Sequence, residues 1–280
     1  MTVGVTGTSG FIGKIYMDQN KSIFDLKSVK ARLDQIESII FEGTTTILHL
    51  GGVAHRMNET NPQVYYDGNY ELTKQLAYKA KNQGVNHFVF VSTIKTFGEG
   101  EDYLSLDSEC KPENDPYGES KLKAEEYLKS IETVKFKVAI IRPPLVYGPG
   151  VKGNLASLLK LVDSAIPLPF GEIQNRRTMV SVDNLIALIN HIVRHQSSGL
   201  FLAGDEEPIS TTQLISQIRK SMNRKPNLIP IPGFKSLLNI LKPALAMRLF
   251  GSLEMDTSET FKRLDFVPVS YTHLTLPTKA

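Results

Sequence analysis

The first thirteen residues constrain this chain most. Thr2-Val3-Gly4-Val5-Thr6 reads as a short buried strand, and Gly7-Thr8-Ser9-Gly10-Phe11-Ile12-Gly13 follows at once. Glycines at 7, 10 and 13 permit a tight turn, close backbone approach to a pyrophosphate, and tight helix packing. The helix start behind them offers N–H groups and a positive dipole end to phosphate oxygens. Any loop can be glycine-rich, and a simple strand–helix turn is the competing reading. The strand directly before and the helix directly after are the setting that a dinucleotide turn requires.

Strand and helix signals then alternate. Thr46 to Leu50, His87 to Ser92 and Val138 to Arg142 read as apolar strands, with a helix from about Asn69 to Lys81. Fully apolar strands separated by helices imply a parallel sheet covered on both faces. Ligands on such sheets sit at the carboxyl ends of the strands. Gly7, Gly51, Thr93 and Pro144 all follow strand ends, so four separated segments converge on one crevice.

Asn114-Asp115-Pro116-Tyr117-Gly118-Glu119-Ser120-Lys121 brings chemistry to that crevice. Asp115 suits an N-cap and Pro116 the first helical position. Tyr117 and Lys121 then share one helix face, where an ammonium beside the phenol would lower its pKa from about 10. The phenol becomes a general acid/base usable near neutral pH. Spacing alone is weak, because Tyr70 and Lys74 share it; the surrounding motifs distinguish the second copy.

In family order, the motifs are the glycine turn, Ile47-Leu48-His49-Leu50-Gly51-Gly52, Asn69, and Phe88-Val89-Phe90-Val91-Ser92-Thr93. Tyr117 with Lys121, Arg142-Pro143-Pro144-Leu145-Val146-Tyr147-Gly148-Pro149-Gly150 and Arg177-Thr178-Met179-Val180-Ser181-Val182-Asp183 complete them. The set, from Val3 to about Pro268, resembles the extended short-chain dehydrogenase/reductases, the NAD-dependent epimerases and dehydratases of nucleotide sugars. His55-Arg56-Met57-Asn58-Glu59, Ile94-Lys95 and Val151-Lys152-Gly153-Asn154 look most like UDP-N-acetylquinovosamine-type 4-keto reductases and UDP-glucose 4-epimerase-like enzymes, which serve surface polysaccharide synthesis.

The resemblance implies an α/β fold: a Rossmann-type doubly wound parallel sheet over 1–150, with a smaller C-terminal substrate lobe over 151–268 that has elements returning to the Rossmann domain. It implies NAD or NADP, with NAD favoured, held by Gly7, Gly10, Phe11, Ile12, Gly13, Asp25, Leu26, Leu50, Gly51, Gly52, Asn69, Tyr117, Lys121, Pro144 and Val146. Tyr117, Lys121, Thr93 and Ser92 would be catalytic. Thr93 would hydrogen-bond the substrate oxygen, with Ser92 in support; hydroxyls capping a strand end are the plainer reading. Asn69 would hold the active-site helix or a water, unless it is only a helix N-cap. A UDP-sugar would meet Asn154, Leu155, Arg177 and Arg248, the arginines by bidentate contact with phosphate, though either could be a surface ion-pair partner. A 4,6-dehydratase would carry Asp-Glu after the threonine, where Ile94-Lys95 stand. A C4 reductase, a C4 epimerase and a non-catalytic dinucleotide sensor stay open, and a homodimer is a family implication.

Two departures stand out. Gly13 is followed by Asp18 and Asp25, and the next clear strand begins near Thr46, leaving little room for the usual helix and second strand. Asp25-Leu26 resembles the family's adenine-contacting pair and Asp18 a displaced ribose acid; either could be a solvated loop carboxylate. Residues 269–280 resemble read-through of adapter or vector DNA, with native sequence ending near Pro268 and the family's last helices missing.

Composition fits without deciding. A 280-residue chain with 41% hydrophobic residues can bury a large core, and a net charge of +3 with dispersed bases gives no nucleic-acid signature. One cysteine, Cys110, excludes an internal disulfide and fits a reducing cytoplasm. No apolar run reaches the roughly 20 residues needed to span a bilayer, and no signal peptide is seen. His191 and His195 sit one helical turn apart but lack a third ligand, so no metal is expected.

Overall fold

Residues 1–54, 59–151, 153–163 and 166–269 are described by the computed structural model. The 55–58 segment, including Met57 and Asn58, lies outside them, as do Lys152 and 270–280.

Apolar residues at successive positions make strands that can be buried on both faces. β1 (Thr2–Thr6), β3 (Thr46–His49), β4 (His87–Val91) and β6 (Lys137–Arg142) are nearly all buried. With β2 (Asp25–Ser28) and β9 (Gly199–Leu202) they form a six-stranded parallel sheet in the order β2-β1-β3-β4-β6-β9. Chain order reverses between β1 and β3, which opens a crevice at their carboxyl ends.

Helices cover both faces. α1 (Phe11–Asn20) and α6 (Val182–His195) pack on one, through Tyr16, Leu185, Ile189 and Val193 against Val3, Val5 and Val89. The other face is covered by α2 (Gln63–Tyr65), a π-helical turn (Tyr66–Glu71), α3 (Leu72–Asn82) and α4 (Pro116–Ile131). There Leu76, Ala80, Ala124 and Leu128 bury Ile47, Phe88 and Phe90. Each fully buried branched or aromatic side chain contributes about 1.5–3 kcal/mol.

The front end holds more structure than its length promises. α1 takes ten residues and β2 four, so both elements fit between Gly10 and Val29. The space comes from brevity: Thr44 is reached through a 3₁₀ segment, Leu33–Ser38, with no further strand on that side.

Beyond β7 (Leu145–Tyr147), a third core joins α5 (Asn154–Asp163) and α7 (Thr211–Ser221) through Leu155, Val162, Ile215 and Ile218. β8 (Met179–Ser181) pairs with β7, directly ahead of α6. The apolar stretch near 237–250 forms two helices, α8 (Phe234–Leu241) and α9 (Pro243–Phe250). β5 (Tyr103–Leu104) pairs with β10 (Glu254–Met255), and α10 (Ser258–Leu264) follows. β9 belongs to the later half of the sequence yet completes the main sheet.

Candidate active site

Gly7 turns the chain out of β1 at a φ of +68°, and a side chain there would stand 2.7 Å from the Gly51 nitrogen. The turns after β1 and β3 therefore touch. A Cβ on Gly13 would overlap the Gly7 carbonyl, so the start of α1 packs onto the turn only because both are glycine. Below them, the Thr6 hydroxyl accepts the Gly51 N–H at 3.1 Å and meets His49 Nδ1 at 2.6 Å. His49 Nε2 lies 3.0 Å from the Thr73 hydroxyl, and burial pushes the imidazole down to about 3, so it stays neutral. This cradle of bare backbone fits a pyrophosphate. Phe11 and Ile12, both partly buried, pack on the core beside it.

Asn69 joins the second turn to the helix bearing Tyr117. Its Oδ1 accepts Val53 N–H at 2.8 Å, and its Nδ2 donates to the Val53 carbonyl and to Ser120 Oγ, each at 3.1 Å. It sits inside the π-helical turn rather than at a helix N-cap. Such turns place one side chain off the regular helical register.

α4 begins as its sequence demands. Asp115 caps it, accepting the Tyr117 and Gly118 N–H groups at 3.2 Å each, with Pro116 in the first turn. Gly118 lies so close to the Lys95 carbonyl that a Cβ would stand 2.6 Å from it. That approach draws α4 onto the 3₁₀ turn Ile94–Phe97, whose cap is Thr93. The Thr93 hydroxyl thereby bonds the Tyr117 phenol.

Burial pushes the Tyr117 phenol up to about 12; the Thr93 hydrogen bond opposes this, while Asp115 and Tyr65 reinforce it. The expected lowering by Lys121 is not what governs the phenol in this structure. Lys121 is buried, donates to the Val91 carbonyl at 3.0 Å, and lies over the Phe90 ring. Desolvation brings its ammonium down to about 8, against a smaller opposing pull from Glu125. Lys121 Nζ also flanks Gly52, 3.6 Å from where a Cβ would be.

Ser92 turns away from this group. Its hydroxyl donates to Glu125 Oε1 at 2.5 Å, and Glu125 is paired with Arg142 at 2.6 Å, both fully buried. Arg142 also stacks on Phe97, 4.4 Å from the ring centre. Pro144 is buried just past β6, and the half-buried Val146 on β7 packs on the core that carries Phe11.

Asp25 and Leu26 are not brought to the crevice. Asp25 pairs with Thr2 and accepts its hydroxyl at 2.8 Å, at the amino end of the strands and opposite the glycine turn. Asp18 lies exposed on α1, 2.8 Å from Lys21 Nζ. Ser28 ends β2 beside the glycine turn, its hydroxyl 2.9 Å from that of Thr8, with Lys30 and Arg32 exposed beyond.

Among the substrate candidates, Leu155 is buried in the lobe core and Asn154 begins α5. Arg177 Nη1 donates to the carbonyls of Arg248 and Gly251, both at 3.1 Å, and burial lowers its pKa. Arg177 and the α9 end bearing Arg248 therefore meet, with Arg248 itself exposed. The His191 and His195 rings lie 4.3 Å apart, tilted by 32°. Among the described residues, no three His, Cys, Asp or Glu side chains cluster to hold a metal.

Residues 3–204 match the model of the NAD dependent epimerase/dehydratase family. The chain belongs to that family. UDP-glucose 4-epimerase of Vibrio cholerae is 33% identical over 94% of this chain and 90% of its own length. The N-acetyl-α-D-glucosaminyl-diphospho-ditrans,octacis-undecaprenol 4-epimerase of Escherichia coli O157:H7 is 24% identical, covering 78% of this chain and 72% of that protein. In fold, the chain resembles the RMD structure from Pseudomonas aeruginosa complexed with NADPH, with TM-score 0.79, 18% identity, and coverage of 97% and 95% of the two chains. This epimerase/dehydratase-family chain is thus of NAD(P)-dependent type. His49 and Gly118 stand inside motifs quoted from the sequence without a role of their own, and Glu125 stands in none. Only Gly118 left a signal, as the small residue directly after the tyrosine.

Proposed function

We propose that this protein carries out oxidoreduction at C4 of a UDP-sugar, in the direction of a 4-keto-6-deoxy-N-acetylhexosamine reductase. The observation that carries it is the Tyr117 phenol bonded to Thr93 beside the cradle, with Lys121 one turn further along. Gly7, Gly10, Gly13, Gly51 and Gly52 would hold the dinucleotide, Lys121 reaching its ribose across Gly52. Bound there, a nicotinamide supplies the hydride.

Tyr117 holds its proton firmly in this environment, which suits donation to a ketone oxygen that gains negative charge as it is reduced. Thr93 bonds the same oxygen and fixes its distance from the phenol. Lys121 supplies positive charge close by, and so favours the phenolate left after proton transfer. Arg177 and Arg248 would meet the diphosphate at the lobe edge. Ile94 and Lys95 after Thr93 leave elimination without its acid pair.

A C4 epimerase is the second reading, favoured by the Vibrio cholerae relative. Purified protein with UDP-4-keto-6-deoxy-N-acetylglucosamine and each reduced cofactor tests the first: oxidation of the cofactor coupled to loss of the ketone is expected. Interconversion of UDP-GlcNAc and UDP-GalNAc without added dinucleotide, and no reduction, would establish the second. Bound dinucleotide with neither reaction would overturn both.

A further inference from the structure

Between Glu207 and Glu254 the chain contains no aspartate or glutamate, yet it holds Arg219, Lys220, Arg224, Lys225, Lys235, Lys242 and Arg248. Seven cations in a chain of net charge +3 leave the remainder net acidic. Charge is thus segregated onto one part of the lobe. Arg219 is buried against backbone carbonyls, and Arg224 pairs with Asp163 at 2.7 Å. Lys220, Lys225, Lys235 and Lys242 are exposed.

The same region carries α8 and α9. Phe234 anchors α8 inward, edge-on to Phe170 and Phe250, and Ala246 anchors α9. Leu237, Ile240 and Leu241 stand at i, i+3 and i+4, the spacing that normally buries a helix against its own protein. Here that stripe faces outward, with Ile240 at 80% and Leu241 at 66% exposure. Leu245 and Met247 on α9 and Ile229 and Ile231 before α8 are also exposed.

We infer that the α8–α9 hairpin docks reversibly on an anionic bilayer surface. Apolar side chains beside lysines suit the boundary between acyl chains and anionic headgroups, and a single carboxylate, Glu172, lines the cavity that Ile231, Phe234 and Lys235 share. A second copy of the chain fits less well. Twofold pairing along α8 would set two lysine-bearing faces against each other, like charge on like charge. Neither helix spans a membrane, and among the described residues no helix is long and apolar enough to do so. The hairpin is fastened to the candidate site. Asn175 Nδ2 donates to the Leu249 and Gly251 carbonyls, and Arg177 to those of Arg248 and Gly251. Docking would set the lobe edge bearing Arg177 near the membrane plane. The inference does not depend on which sugar is turned over.

Co-sedimentation of the full chain with vesicles tests it, using phosphatidylcholine alone and equal parts phosphatidylcholine and phosphatidylglycerol. Binding to the anionic vesicles, weakened by salt, is expected. The double variant Lys235→Glu/Lys242→Glu should lose about tenfold or more in affinity. Ile240→Asp/Leu241→Asp should also lose binding, with an unchanged thermal melt showing that the fold is intact. Absence of binding to the anionic vesicles overturns the inference, as does equal binding to both vesicle types that neither variant reduces. So does a concentration-dependent dimer, abolished by Ile240→Asp/Leu241→Asp, in a protein that ignores vesicles.

Discussion

The ammonium of Lys121 donates to the carbonyl of Val91 at 3.0 Å, so this buried charge is anchored on the strand that leads to Thr93. The lysine is held at the cost of burial, which makes it removable in a telling way. Its pKa falls from 10.5 to about 8, so the folded protein releases this proton before the unfolded chain does. Between those two values the unfolded state binds more protons, and stability from this group rises with pH. Lys121→Met should flatten that rise in thermal melts from pH 7 to 10, while turnover collapses.

Tyr117→Phe removes the proton donor and little else, because the ring keeps its edge contact with Tyr65 at 6.0 Å. Turnover should fall about 10²–10⁴-fold with dinucleotide affinity intact, measured by steady-state kinetics and fluorescence titration. An undiminished rate would remove the phenol from the mechanism.

Asp115 caps α4 and also raises the Tyr117 pKa by its charge. Asparagine caps equally well but is neutral. Asp115→Asn should therefore leave the melting temperature nearly unchanged while moving tyrosinate formation to lower pH. Ultraviolet difference titration reads that shift, and the high-pH limb of the rate profile should follow it.

Glu125 and Arg142 neutralise one another where water does not reach. Glu125→Gln strands a buried guanidinium and should cost about 3–5 kcal/mol in chemical denaturation. Replacing the pair together, Glu125→Leu with Arg142→Met, should recover most of that loss.

In the proposed dinucleotide site, the carboxyl end of β2 would decide between the two cofactors. A carboxylate there would bond the ribose 2′-hydroxyl and repel a 2′-phosphate. Ser28, Lys30 and Arg32 occupy that end instead. Against the preference for NAD that the resemblance implies, NADPH should bind at least as tightly as NADH in fluorescence titration, and Ser28→Asp should shift the preference to NADH.

Local signals were legible in advance. The Asp115-Pro116 helix start, the glycine spacing and the convergence of four strand ends each depend on neighbours in sequence. Asp25 was not placed correctly by motif alone, because its position depends on register: pairing with Thr2 carries it to the far end of the sheet. The His49–Thr6–Thr73 chain and the Ser92–Glu125–Arg142 cluster join residues 17 to 43 positions apart, which periodicity does not reveal. Brevity of the 14–45 region suggested missing elements, whereas short versions of both were sufficient.

The last strand of the sheet carries a consequence for biosynthesis. β9 docks along β6, and its Leu202 N–H is received by the Thr260 hydroxyl at 2.9 Å. Until β9, ending at Leu202, has left the ribosome, the β6 margin stays an unpaired hydrogen-bonding row, the kind of surface that recruits stray strands. Nascent chains of this protein therefore pass through a sticky interval during translation, and holdase chaperones matter most over that window.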